Sequence, residues 1–209
     1  MKTASYALLA TAALTAPAFA QEAAPAQTHI MAARMVDVLT GKVVEYPLIT
    51  VQDGRIVAIA DSRTVKLSAN AKVIDLGTKT LLPGLIDMHV HLDGPADIGG
   101  YRGLEITDTF WGMTAVGSAR SMLDAGFTTI RNVGAGHRND IGLKQAIDNG
   151  YAVGPRIVPA GYALGATGGH CDSTFLPPSL EKPVEGVADG EEGLRYQVRR
   201  QRKYGAEVI

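Results

Sequence analysis

The sequence predicts an α/β protein: a small β module followed by strand–helix units around a parallel sheet. Three observations carry this. Residues 29–79 alternate short apolar runs with Thr-Gly and Asp-Gly turns. From Thr80 onward, apolar strands alternate with helical patterns that end at a glycine. A hydrophobic fraction of 46% with 24 glycines suits a turn-rich globular chain rather than a disordered one.

The first twenty residues combine Lys2, an apolar run from Ala7 to Leu14 and a small-x-small ending at Ala18-Phe19-Ala20. This is the pattern of a secretory signal peptide cleaved after Ala20, and the apolar run is shorter than the ~20 residues a membrane span needs. The expected mature product is periplasmic or secreted, with no membrane segment after cleavage. Residues 21–28 are polar and Ala/Pro-rich and read as a flexible lead-in, with folded structure expected from His29.

Residues 29–79 form the β module. Met35–Leu39, Tyr46–Val51 and Arg55–Ile59 are apolar runs separated by Thr40-Gly41-Lys42 and Asp53-Gly54, the composition of β-hairpins. A further strand is expected over Lys72–Leu76. Residues 80–209 then change rhythm. A strand is expected from Thr80 to His91, a helix from Thr109 to Asp124 stopped by Gly126, and a strand over Thr128–Val133. A helix from Gly142 to Asn149 ends at Gly150. Strand Arg156–Ala160, helix Glu191–Tyr204 and a fourth strand starting at Ala206–Ile209 complete the reading. Repeated units of this kind fit an open doubly wound sheet or a (β/α)₈ barrel, and periodicity alone does not separate the two.

Twenty basic against twenty-one acidic residues, with no basic stripe interleaved with aromatics, argue against nucleic acid as a partner. Cys171 is the only cysteine, which rules out an internal disulfide. Neither glycine-rich phosphate-loop pattern follows a strand, so nucleotide binding is not expected. Oligomeric state, a homo-oligomer included, stays open.

The segment that carries chemistry is Pro83-Gly84-Leu85-Ile86-Asp87-Met88-His89-Val90-His91. Side chains alternate faces along a strand, so His89 and His91 point the same way and can share one cation. Two neutral imidazoles supply half of a tetrahedral zinc shell. Asp87 shares their face one step deeper and can orient an imidazole through its second nitrogen.

This motif, with the β module before it, resembles the amidohydrolase superfamily, and most closely its subgroup of Xaa-Pro-type dipeptidases and imidazolonepropionase-like proteins. Shorter pieces extend the resemblance through nearly all of the mature chain: Gly126–Gly134, Gly154-Pro155-Arg156, Thr167–His170 and Tyr204–Ile209. The resemblance implies a (β/α)₈ TIM-like barrel, of which this chain holds about the first four strands, preceded by part of a β-sandwich module. It also implies one or two divalent metals, zinc first, with Mn²⁺, Fe²⁺ or Co²⁺ suited to similar shells. The implied activity is hydrolysis of a C–N bond in an amide, dipeptide-like or cyclic amide substrate by attack of metal-activated water.

In that family a lysine is expected immediately after the position of Ile209, with further histidines and the catalytic aspartate beyond. The expectation is therefore an N-terminal part of the enzyme with metal ligands His89 and His91, no catalytic base of its own and no activity alone. Candidate substrate contacts are His170, Arg131 and His137. His170 and His137 follow strands three and two, where barrel loops line active sites, though a solvent-facing loop histidine reads equally well from sequence. Arg131 either faces the barrel mouth or pairs with an acidic neighbour. The alternatives are a non-catalytic fragment, or a binding protein with a structural metal site.

Overall fold

The computed structural model describes residues 26–209, so the signal segment and its cleavage point lie outside the described residues. The chain divides into two units, one ending at Leu82 and the other running Pro83–Ile209.

The first unit contains β1 (Gln27–Met31), β2 (Arg34–Asp37), β3 (Lys42–Glu45), β4 (Pro47–Gln52), β5 (Arg55–Asp61), β6 (Lys72–Asp75) and β7 (Thr80–Leu81). They form two sheets, ordered β5-β4-β1-β6 and β3-β2-β7. Asp53 and Gly54 both take positive φ (50° and 72°), the backbone that a two-residue hairpin turn between twisted strands requires, and they join β4 to β5. Leu48 and Ile49 of β4 are buried, and His29 reaches Thr50 through Nδ1···Oγ1 at 3.1 Å.

Three expectations need correction in this unit. Strand β1 starts at Gln27, inside the lead-in expected over residues 21–28, because Gln27 pairs with Gln52 in the ladder and their side-chain amides bond at 2.9 Å. The Thr-Gly turn leads not into Tyr46–Val51 but into β3, whose Val43 pairs with Val36. Two valines between charged ends make a strand too short to show as an apolar run, and Tyr46 then breaks the path with φ 52°. The strand expected from Thr80 to His91 is two strands. Thr80 and Leu81 pair with Arg34 and Met35 of β2, and Pro83, which has no N–H to give a ladder, falls in the gap that separates them from Leu85.

The second unit contains β8 (Leu85–Val90), α1 (Asp108–Asp124), β9 (Phe127–Asn132), α2 (Asn139–Asp148), β10 (Arg156–Pro159) and α3 (Gly190–Lys203). The strands form a parallel sheet ordered β10-β9-β8. Gly126 (φ 98°) lies just past α1 and Gly150 (φ 78°) just past α2, the left-handed backbone that closes a helix. Ala115 and Ala119 of α1 are fully buried and join Leu92, Ile130, Leu143 and Ile157 in one core. Each fully buried large aliphatic side chain contributes roughly 1.5–3 kcal/mol. Alanines on α1 let the helix lie close to the sheet.

The helix expected from Gly142 starts three residues earlier, at Asn139, and is preceded by the single turn Gly136–Arg138, where His137 and Arg138 adopt positive φ. The fourth strand is not formed. Glu207 and Val208 both donate their N–H to the carbonyl of Pro159 at the end of β10 (2.8 and 3.3 Å) instead of making a ladder. Among the described residues, no helix is long and apolar enough to cross a membrane.

Candidate functional site

The site grows from the carboxyl end of β8. Val90 and Leu92 pack into the core on one side, so His89 and His91 fall on the other. Their ring centroids lie 5.5 Å apart at 75°, and both line a cavity of about 480 Å³ with Val133 to Gly136, Tyr162, Ala163, His170, Cys171, Val184 and Glu185.

β8 is not a regular strand at this point. Asp87 pairs with Ile130 and Val90 with Asn132, so β8 carries one extra residue around Met88 and His89. Bulges of this kind re-aim side chains beside functional sites. Arg131 Nε donates to the Met88 carbonyl at 2.7 Å, satisfying a group that the disturbed ladder would strand. Arg131 thus pairs with backbone and not with an acidic neighbour, and it lines a separate cavity with Cys171, Val208 and Ile209. Asp87 also departs from expectation. Its Oδ1 accepts the backbone N–H of His89 at 3.0 Å instead of holding an imidazole nitrogen.

The group that does hold an imidazole is a main-chain carbonyl. His91 Nδ1 lies 3.0 Å from the oxygen of Gly134. A carbonyl can only accept, so Nδ1 carries the proton and Nε2 keeps its lone pair. Gly134 allows this approach: a Cβ there would stand 3.0 Å from Ala163 Cβ and 3.6 Å from His91 Cε1.

Behind Gly134 lies a buried polar network that sequence reasoning missed. Asn132 is fully buried; its Nδ2 donates to Gly134 O (3.0 Å) and to Asp140 Oδ2 (3.2 Å), and its Oδ1 accepts from Leu92 N (2.9 Å). Asp140, 1% exposed, also accepts from Ile141 N (2.8 Å), Ala160 N (3.0 Å) and Gly161 N (3.0 Å). Burial pushes the Asp140 carboxyl above its ordinary value, against the pull of these hydrogen bonds. Burial likewise raises Asp93, whose Oδ2 accepts from Asn139 Nδ2 at 3.1 Å. The network ties the ends of β8, β9 and β10 together beneath the histidines. Two acidic or amide residues eight positions apart gave no local signal, because their partners are backbone groups twenty and forty residues distant.

The remaining candidates separate. His170 shares the cavity with His89 and His91. His137 does not line it; its Nε2 sits 3.4 Å from Asp108 Oδ1 at the start of α1. Glu185, at the cavity wall, bonds Arg138 and lies 3.4 Å from Arg200, and Arg138 stacks over Tyr162 and Tyr204. Among the described residues, no three His, Cys, Asp or Glu side chains converge closely enough to hold a cation.

Residues 80–209 match the amidohydrolase family model. The chain belongs to the amidohydrolase family. Ochratoxinase of Aspergillus niger is 33% identical over 146 residues, which is 62% of this chain and 30% of that protein. Among solved structures, an Xaa-Pro dipeptidase with methionine bound in its active site has a TM-score of 0.77 at 29% identity, covering 87% of this chain and 45% of the other. A prolidase complexed with N-methylphosphonate-L-proline has a TM-score of 0.73 at 34% identity, with 86% and 45% covered. This chain spans less than half the length of each of these relatives. As an amidohydrolase chain, the second unit has a TIM-barrel-type fold, of which it supplies three parallel strands and their helices.

Proposed function

We propose that the protein works as a secreted, metal-dependent hydrolase of an amide or peptide-type C–N bond, with His89 and His91 as the first ligands of a divalent cation, zinc foremost. The observation that carries this reading is the pair of imidazoles on one side of β8, with His91 Nδ1 committed to Gly134 O and its Nε2 free to coordinate. A ring held this way fits a metal: fixing the tautomer through the distal nitrogen is how ligating histidines are oriented. When bound, the cation would supply Lewis acidity, polarising a substrate carbonyl and lowering the pKa of water.

This chain's own residues would shape the other side of the reaction. His170 and the half-apolar wall of Val133, Ala163, Tyr162 and Val184 would receive a small substrate beside the histidines. A dipeptide-like substrate is favoured by the likeness to the Xaa-Pro dipeptidase and the prolidase, and ochratoxin becomes a further candidate through the likeness to ochratoxinase. The first unit would be part of a β-sandwich module. Export would follow from the segment ending at Ala20.

A further element of the proposal is that the described residues alone do not complete a catalytic centre. Turnover of Xaa-Pro dipeptides and of ochratoxin by the 209-residue chain, with zinc supplied and with chelator, tests this. Hydrolysis abolished by chelator would support the metal-dependent reading and overturn the inactive-alone part. Absence of turnover with zinc bound through His89 and His91 would support both.

A further inference from the structure

We infer that Asn132, braced by Asp140, is a positioning residue that sets which nitrogen His91 presents to the cavity. This rests on the reading of His91 as a metal ligand, but the structural claim concerns the ring itself.

The oxygen of Gly134 accepts from two donors, His91 Nδ1 and Asn132 Nδ2, both at 3.0 Å. Where that oxygen sits therefore decides whether the imidazole is protonated on Nδ1, and Asn132 holds it in place. The amide of Asn132 has a single orientation available. Leu92 N is a donor and must face Oδ1, while Gly134 O and Asp140 Oδ2 are acceptors and must face Nδ2. Asp140 is fixed in turn by three backbone N–H groups from the start of α2 and the end of β10. A chain of buried hydrogen bonds thus runs from two neighbouring segments to one ring nitrogen. Leu92, which follows His91 directly, is held by the same amide, so the ring's backbone and its distal nitrogen share one anchor.

Among the described residues, His91 and Asn132 are the side chains bonded to Gly134 O, and Asn132 lies in the sheet and does not line the cavity. Its action on a bound group would therefore pass through His91. Removing it should relax the tautomer and weaken metal binding by about 10–100-fold, the usual effect of losing a partner behind a ligating histidine.

The test uses Asn132→Leu, which keeps the volume but cannot be replaced by a water, in the 209-residue chain. The readout is ¹⁵N NMR of the histidine rings without metal, followed by titration with Zn²⁺. Ile130→Val, in the same strand and fully buried but outside the network, controls for general loss of stability. The inference expects His91 protonated on Nδ1 in wild type and in Ile130→Val, and a shift toward Nε2 protonation in Asn132→Leu with zinc affinity lowered. An unchanged His91 tautomer in Asn132→Leu would overturn it. If Asn132→Leu does not fold, Asn132→Val, which removes the same Nδ2 donor with a smaller side chain suited to a strand, is read by the same criterion. A tautomer shift in Asn132→Leu, beside a wild type that binds no zinc, would keep the positioning role and sink only the metal reading. Zinc binding through His91 with an unmoved tautomer in the variant would do the reverse.

Discussion

His91 donates from Nδ1 to the carbonyl of Gly134, 3.0 Å away and forty-three residues along the chain. This single contact fixes the ring's free nitrogen on the cavity side, and the glycine is needed for it. In Gly134→Ala, the new methyl would press on Ala163 and His91, forcing the loop to shift by a few tenths of an ångström. Zinc affinity measured by competition with a chelating dye should fall by about tenfold or more. Unchanged affinity would show that the carbonyl is not what orients the ring.

Gly84 sits before β8 where a Cβ would stand 2.0 Å from Thr128 Oγ1 and 2.7 Å from Thr128 Cβ. Gly84→Ala should cost about 1–3 kcal/mol by overpacking, read as a lowered denaturation midpoint at constant slope. Thr128→Gly in the same chain should recover part of that loss, since it removes the three atoms nearest the methyl. Additive losses in the double variant would refute the close contact.

Asp140 has its carboxyl pushed up by burial, so the folded chain binds this proton more tightly than the unfolded chain does. Between the ordinary aspartate value and the raised one, the unfolded state holds fewer protons, and stability must fall as pH rises through that window. Above it the cost is constant. The difference in unfolding free energy between wild type and Asp140→Asn, followed by urea denaturation from acid to neutral pH, should show this decline. A difference that grows in favour of wild type as pH rises through the same window would mean that the backbone donors outweigh burial.

His137 was a candidate from its place after the second barrel strand, yet it faces Asp108 and stands outside the cavity wall. Both partners are at least half exposed, so the pair contributes within about 1 kcal/mol. His137→Ala should leave zinc affinity within about twofold of wild type, whereas His91→Ala should abolish it. Equal losses would restore His137 to the site.

The strand–helix order, the glycine stops at Gly126 and Gly150 and the common side of His89 and His91 were legible because each rests on local periodicity or backbone sterics. What escaped the sequence rests on distant partners. β7 separates from β8 because Thr80 and Leu81 find β2, which no window around Pro83 reveals. The bulge at Met88–His89 and its closure by Arg131 depend on register against β9. Asn132 reads as one of several polar residues in its strand, beside Thr128, Thr129 and Arg131, and Asp140 as an ordinary first-turn helix acid. Only the fold brings Leu92, Gly134, Ala160 and Gly161 around them. Ala206–Ile209 has strand-like composition, but Glu207 and Val208 bond the Pro159 carbonyl and Ala206 bonds Gln201 and Arg202 of α3 instead of a ladder.

His89 and His91 are proposed to bind one divalent metal together. Metal content of the purified chain, measured by plasma emission after zinc loading and gel filtration, tests it against His89→Ala/His91→Ala. About one zinc per wild-type chain is expected, with essentially none in a double variant that remains folded. Equal zinc in the two proteins, or none in either, would contradict it.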